Sequence, residues 1–178
     1  MDIIRNRTIQ SDQWRYELDA VDQISTADIA PGDVIVSMQR WLDDHERLLA
    51  RGTRVGVVLR PDDGLQALID CELHELWLLA IEFPSFAEGR GYSYARLLRS
   101  RHDYHGGLRA IGDVSRDRIA FMERCGFNEL ELPAERSLPE ALLAFSEIGE
   151  VYQPSTDALP SVARIRGYRI EPSVRSAA

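Results

Sequence analysis

The chain has 178 residues, 44% of them apolar, and a formal net charge of −8 at pH 7. This length favours one domain with a core that buries about two thirds of the unfolded surface, and the acidic balance argues against nucleic-acid binding. Because the two cysteines, Cys71 and Cys125, lie far apart, no metal site is predicted, neither zinc nor iron–sulfur, and a disulfide scaffold is excluded.

The N-terminal part of the chain has a strand pattern. Trp14, Tyr16 and Leu18 fall on one side of a loosely alternating stretch. Such alternation is typical of a strand, so an N-terminal antiparallel β ribbon is predicted. The apolar residues 34–36 then begin a rhythm of strands and helices, with Ser37 as the N-cap of the first helix.

The rest of the chain continues this alternation. The apolar run 76–83 does not alternate, which is typical of a strand covered on both faces. The other predicted elements are, in order, a strand over 54–60, a helix over 65–73, a helix after the glycine loop 89–91, a strand over 108–114, a helix from Ser115 to Gly126, a short strand over 129–132 and a last helix with Pro139 near its start.

These elements predict an α/β fold. About five strands separated by helices require right-handed crossovers and a mostly parallel sheet flanked by helices, either an open sandwich or an incomplete barrel. The single domain is predicted to cover residues 1–153. Residues 154–178 are rich in Pro, Ser and Arg, so a flexible tail is predicted that becomes ordered only against a partner or a second copy of the chain, as in a homodimer.

No apolar run is long enough to span a membrane, and the N-terminus becomes polar too early for a signal peptide. We therefore expect no membrane association and a location in the reducing cytoplasm. The chain also contains no lysine. An anion bound by this protein would have to be held by arginine side chains, backbone N–H groups or helix ends.

The carboxyl ends of parallel strands meet at one rim of a sheet, which should bring together residues 60–63, 82–91 and 112–117. Within this rim, Gly89 and Gly91 allow close approach to the backbone, and Arg90 supplies a guanidinium fork. Tyr92 and Ser93 begin a helix whose free N–H groups attract anions. The alternative is that the glycines serve turn geometry alone.

Two acidic residues of the same rim are candidate proton-transfer groups. Glu82 ends an apolar strand and Asp113 ends the next one, so the two carboxylates are expected to face each other, with Arg116 nearby as a further anion contact. Arg109 is the predicted ion-pair partner of Glu82. A helix cap followed by solvated charges is the simpler interpretation of the segment around Asp113.

A dinucleotide site is a further alternative. Asp113 follows the glycines at the distance of a ribose-binding acid, but Tyr94 stands where the third glycine of the dinucleotide pattern belongs. A small anion or a nucleotide therefore remains a candidate ligand, and no particular cofactor is predicted.

Four segments in order carry a family resemblance: "GDVIVSMQRWL", "RGTRVGVVLRPDD", "LLAIEFPSFAEGRGYSYARLLRSR" and "LRAIGDVSRDRIAFMERCGFNELEL". Together they resemble the bacterial domain-of-unknown-function family 934, from about Ile3 to Gln153. The resemblance implies an accessory role in assimilatory sulfite reduction, with the sulfite reductase haemoprotein as the expected partner. It also carries the label of a probable oxidoreductase, so a small-anion or nucleotide-binding oxidoreductase that uses the Gly-Arg-Gly loop is the alternative function.

Overall fold

A computed structural model of the protein describes residues 1–18, 29 and 31–147. Its strands are β1 (Asp2–Arg5), β2 (Thr8–Ser11), β3 (Arg15–Glu17), β4 (Val34–Ser37), β5 (Val55–Leu59), β6 (Leu78–Phe83), β7 (Gly107–Gly112) and β8 (Glu129–Leu130). Its α-helices are α1 (Met38–Ala50), α2 (Leu65–Ile69), α3 (Arg90–Arg101), α4 (Arg116–Cys125) and α5 (Leu138–Glu147), and a 3₁₀ turn covers Leu73–Glu75. The predicted tail, 154–178, and the last residues of the predicted domain, 148–153, lie outside the described residues.

The α/β class is confirmed, and the sheet is larger than predicted. The described strands form one eight-stranded sheet in the order β2-β1-β8-β7-β6-β5-β4-β3. Strands β3 to β8 run parallel to one another, whereas β1 pairs antiparallel with both β2 and β8. The five strands expected from the apolar runs are β4 to β8, and the count of about five was too low because β1, β2 and β3 join the same sheet.

The N-terminal ribbon is present, but it is made of β1 and β2. The strand containing Tyr16 is β3, which pairs parallel with β4 at the opposite edge of the sheet. Alternation in the sequence identified this strand correctly and could not identify its neighbour. Its pairing depends on a contact with Ile35, which lies 19 residues further along the chain.

The sheet is curled, so that its two edges approach each other. Strands β2 and β3 are the two edges, yet only residues 12–14 separate them in the sequence. The hydroxyl of Tyr16, in β3, donates a hydrogen bond of 2.5 Å to Oε2 of Glu131, which directly follows β8. A flat sheet of these strands would hold the two residues far apart, since neighbouring strands lie about 4.8 Å from one another.

The two faces of the sheet have different cores. The larger cluster joins one face of the strands to buried side chains from all five described α-helices, including Trp41, Leu68, Leu98, Ile119 and Ala144. A second cluster, on the concave face, consists of the strand residues Ile35, Val58, Leu78 and Ala80 with Trp14. None of the described helices is both long and apolar enough to cross a membrane.

The predicted capping of α1 is confirmed. The hydroxyl of Ser37 accepts a hydrogen bond of 3.3 Å from the backbone N–H of Arg40. This contact satisfies one of the donors left free at a helix start. Gly126 ends α4 in the left-handed conformation with φ of +116°, as its position in the sequence predicted.

Candidate functional site

The three predicted rim segments meet at the carboxyl ends of the strands. The backbone N–H of Asp113 donates to the carbonyl of Phe83 at 2.7 Å, which joins the ends of β6 and β7. Nη1 of Arg90 donates to the carbonyl of Pro61 at 2.8 Å, which joins the loop after β5 to the start of α3. Parallel pairing of β5, β6 and β7 therefore assembles the strand-end rim, as the sequence predicted.

Glu82 lies on the concave side of this rim. Its neighbours Ile81 and Phe83 point into the large helix-covered core, so alternation along β6 directs Glu82 to the opposite face. Its carboxylate pairs with Nε of Arg60 on the adjacent chain segment at 3.4 Å. The prediction that Arg109 is its partner was wrong.

Arg109 has other partners because its position in β7 is opposite Ala80, two residues before Glu82, and because three other carboxylates surround it. Those carboxylates belong to Asp12, Glu129 and Glu131.

Asp113 lies at the same rim with a separate partner. Nη2 of Arg118 pairs with Oδ2 of Asp113 at 2.9 Å and also contacts the Asp113 carbonyl. Glu82 and Asp113 thus lie at the carboxyl ends of adjacent strands, while their carboxylates bind different arginines. The assignment of proton transfer to these two residues stays a prediction. Arg116 lies in the first turn of α4, and its guanidinium pairs with the carboxylate of Glu147 in α5.

The Gly-Arg-Gly loop already holds a carboxylate of the protein itself. Oε1 of Glu88 accepts from the backbone N–H of Arg90 at 3.0 Å and from its Nε at 2.9 Å, and Oε2 accepts from Nη2 at 2.9 Å. These hydrogen bonds lower the pKa of Glu88 to about 2. The Glu88 side chain therefore takes the donors that the sequence offered to an external anion.

The two glycines of the loop have different roles. A Cβ atom on Gly91 would lie 2.7 Å from the ring of Phe83, so only glycine fits between α3 and β6 at this point. A Cβ atom on Gly89 would meet nothing within 4 Å. Packing alone explains Gly91, and neither glycine needs a ligand to account for it.

The other two predicted contacts lie in the first turn of α3. The ring of Tyr92 packs between those of Phe83 and Phe121, at centroid distances of 4.9 and 5.0 Å, and burial raises the pKa of its hydroxyl. Ser93 is exposed on the helix surface. The ligand-binding roles of Tyr92 and Ser93 stay predictions.

We expect the substitution Glu88→Ala to create an anion site. Removal of the carboxylate frees the backbone N–H and the guanidinium of Arg90, both suited to an oxyanion at a helix start. Sodium sulfate should then raise the melting temperature of the variant more than that of the unchanged protein. The control is the double variant with Arg90→Ala, in which the additional shift should disappear. An equal sulfate effect on all three proteins would contradict the prediction.

Sequence reasoning missed a buried ionic network on the concave face. Arg109 is fully buried and binds Asp12 through both terminal nitrogens, at 2.8 and 2.9 Å. It also binds Glu129 at 2.9 Å and Glu131 at 3.3 Å. The alternation in "ELEL" places Glu129 and Glu131 on one face of a strand, and this pattern was the sequence signal for the network. The sequence around Asp12 contains no signal that it meets Arg109.

Cys71 and Cys125 do not form a disulfide. Cys125 is buried at the end of α4, and burial raises the pKa of the partly buried Cys71 thiol. Among residues 1–18, 29 and 31–147, no group of three or more His, Cys, Asp or Glu side chains is arranged to hold a metal ion.

Part of the chain matches a known protein family. Residues 56–162 match a family described as bacterial protein of unknown function, DUF934. This range contains β6 to β8, all of β5 except its first residue, and all the predicted rim residues. No curated protein matches the chain.

Proposed function

This chain belongs to the bacterial DUF934 family, whose function is unknown, and we propose that it is an accessory protein of assimilatory sulfite reduction. In this role it acts as a docking partner, for electron transfer or assembly, of the sulfite reductase haemoprotein. The partner comes from the family resemblance of the sequence. The mode of action comes from the chemistry of the strand-end rim.

The main support for the proposal is that carboxylates of the strand-end rim form ion pairs with its arginines, next to an exposed aromatic ring. Arg60, Arg90 and Arg118 each pair with a carboxylate of the rim, at 3.4, 2.9 and 2.9 Å. Phe86, in the loop between β6 and α3, is 75% exposed. An exposed aromatic ring surrounded by polar side chains whose arginines are paired within the rim has the composition of a protein–protein contact.

The chain itself lacks the ligands for the redox centres of sulfite reduction. Its two cysteines cannot supply the four thiolates of a [4Fe–4S] cluster. In the proposed complex the haemoprotein holds the redox centres, and this chain contributes binding and orientation. The net charge of −8 adds electrostatic steering toward a basic patch on the partner.

Copurification tests the proposal. A tagged form of the chain, expressed in its host growing on sulfate as sulfur source, should bring down the sulfite reductase haemoprotein. Titration of the two purified proteins by calorimetry should then show saturable binding that weakens as salt is added. Absence of the haemoprotein from the purified material, together with no heat of binding, would contradict the proposed function.

The alternative function, a small-anion or nucleotide-binding oxidoreductase, has one supporting observation. The backbone N–H and the guanidinium of Arg90 converge on a single carboxylate, which is a suitable geometry for an oxyanion. In this alternative a ligand must displace Glu88. Sulfite and flavin or nicotinamide nucleotides that raise the melting temperature of the unchanged protein would favour it.

A further inference from the structure

A small cavity lies between the β1–β2 ribbon, α4 and α5. Its apolar lining comes from Ile4, Phe127, Leu130 and Phe145, of which the first three are between 1% and 3% exposed. The cavity has a volume of about 90 Å³. A cavity of roughly 150 Å³ takes up benzene, so this one has room for about one aliphatic side chain. An empty apolar cavity is unfavourable, because the atoms of its lining lose dispersion contacts.

An ion pair lies at the mouth of the cavity. Nε and Nη2 of Arg7 bind the two carboxylate oxygens of Glu123 at 2.7 and 2.8 Å, and Cζ of Arg7 lies 5.4 Å from the centroid of the Phe145 ring. Arg7 and Asn6 form the turn between β1 and β2, and both have a positive φ, of +60° and +48°. Glycine is the usual second residue of such a turn, so the arginine is held there at a cost in backbone strain. Because Arg7 and Glu123 neutralise each other, the mouth favours an uncharged, apolar occupant.

The inward face of α5 indicates which side chain comes next. Ala141, Ala144 and Phe145 form this face, and Phe145, the last of the three, lines the cavity. The cavity therefore lies toward the carboxyl end of α5. Ile148 follows the three residues by seven, four and three positions, so helical periodicity assigns it to the same face, directly after Glu147. With a rise of about 1.5 Å per residue, it would lie roughly 4.5 Å further along the helix axis than Phe145.

The extent of the family match supports a place for the following segment within the domain. The match continues to residue 162 and so includes residues 148–162. A segment that belongs to the shared domain, and that directly follows a helix with a cavity at its carboxyl end, is expected to pack against that domain. Gly149 favours a turn of the chain right after Ile148, because glycine readily takes the left-handed conformation that ends helices. The side chain of Ile148 therefore needs no long connection to reach the cavity.

We propose that the cavity is the docking site of the segment that follows α5, and that the side chain of Ile148 fills it against Ile4, Phe127 and Leu130. The lining is apolar, the mouth is neutral and the volume suits one aliphatic side chain, so isoleucine meets all three conditions. This contact fastens the carboxyl end of α5 to β1 and β8 and anchors the family-shared residues 148–162 to the domain. The inference is independent of the proposed role in sulfite reduction.

The first test compares the thermal stability of two variants of the full chain. Ile148→Ala should lower the melting temperature by about 5 °C or more, because removal of a packed isoleucine side chain leaves an unfilled cavity. Leu143→Ala is the control, since Leu143 is an apolar residue of α5 that is 58% exposed. It should change the melting temperature by less than about 2 °C. Equal melting temperatures of the Ile148→Ala variant and the unchanged protein would overturn the inference.

The second test uses NMR and xenon to show what occupies the cavity. In the unchanged protein, nuclear Overhauser effects should connect the methyl groups of Ile148 with those of Ile4 and Leu130. Xenon should leave the methyl signals of Ile4 and Leu130 unshifted there and should shift them in the Ile148→Ala variant, because a dry apolar cavity takes up xenon. Missing Overhauser effects to Ile148 would overturn the inference. Xenon shifts in the unchanged protein would also overturn it, and the cavity would then be a site for a small apolar ligand.

Discussion

Arg109→Met should lower the free energy of unfolding by about 3–5 kcal/mol. The side chain of Arg109 is 0% exposed, and it forms ion pairs with the carboxylates of Asp12, Glu129 and Glu131. Methionine has a similar length and no charge. Its introduction leaves three carboxylates close together, of which those of Asp12 and Glu129 are 6% and 7% exposed.

Urea denaturation measures this loss, and a charge-matched set of variants identifies its cause. Arg116→Met removes an exposed arginine from the same chain and should change the free energy by less than about 0.5 kcal/mol. Adding Asp12→Asn to Arg109→Met should recover part of the loss, since the buried Asp12 carboxylate is then no longer charged without its partner, whereas Glu129 keeps its ion pair with Arg5 at 2.8 Å. If Arg109→Met were as stable as Arg116→Met, the ionic network would not hold the curled sheet together.

The network also explains why the curl was not predictable. Asp12 lies between the edge strands β2 and β3, and its bond to Arg109 spans 97 positions of the sequence. A periodicity pattern reports which face a residue occupies and contains no information on which distant residue meets it. The sequence is therefore compatible with both an open sandwich and an incomplete barrel, and the curl depends on the contacts of Asp12 with Arg109 and of Tyr16 with Glu131.

The central strands were the predictable part of the fold. The runs that became β5 and β6 are apolar with little alternation, because they are covered on both faces of the sheet. The buried centre of β7, residues 108–110, contains Arg109. The bounds of α2 were less predictable. Its apolar spacing continued to Leu73, but the helix ends at Ile69 and Glu72 adopts a positive φ of +49° before a 3₁₀ turn.

The rim was predictable and its internal pairing was not. Parallel topology alone brought the loops after β5, β6 and β7 together. The partner of each charge depends on side-chain direction: Glu82 faces Arg60 across the concave side, and Glu88 folds back onto Arg90. A rim of alternating charges in sequence is compatible with a ligand site and with a set of ion pairs, because the sequence does not fix the direction of each side chain.

Arg99→Met should lower the free energy of unfolding by about 2–4 kcal/mol, because Arg99 binds four acceptors in two loops, 104–106 and 126–128. Its guanidinium donates to the carbonyls of Gly126 at 3.1 Å, Tyr104 at 2.5 Å and Gly106 at 2.9 Å. It also donates to Oδ1 of Asn128 at 3.3 Å. Burial lowers the pKa of Arg99 because it removes water from the charged guanidinium, and hydrogen bonds to neutral oxygens replace that water.

Arg101→Met is the matched control, because Arg101 is exposed in the same helix two positions later. It should change stability by less than about 0.5 kcal/mol. Arg99→Lys keeps the charge but has no planar fork, so it should recover less than half of the loss measured for Arg99→Met. Hydrogen exchange adds a local readout, in which the Arg99 variants should lose protection at the N–H groups of Tyr104 and Gly107. A full recovery by lysine would mean that charge alone suffices, and the contribution of the four directed hydrogen bonds would be contradicted.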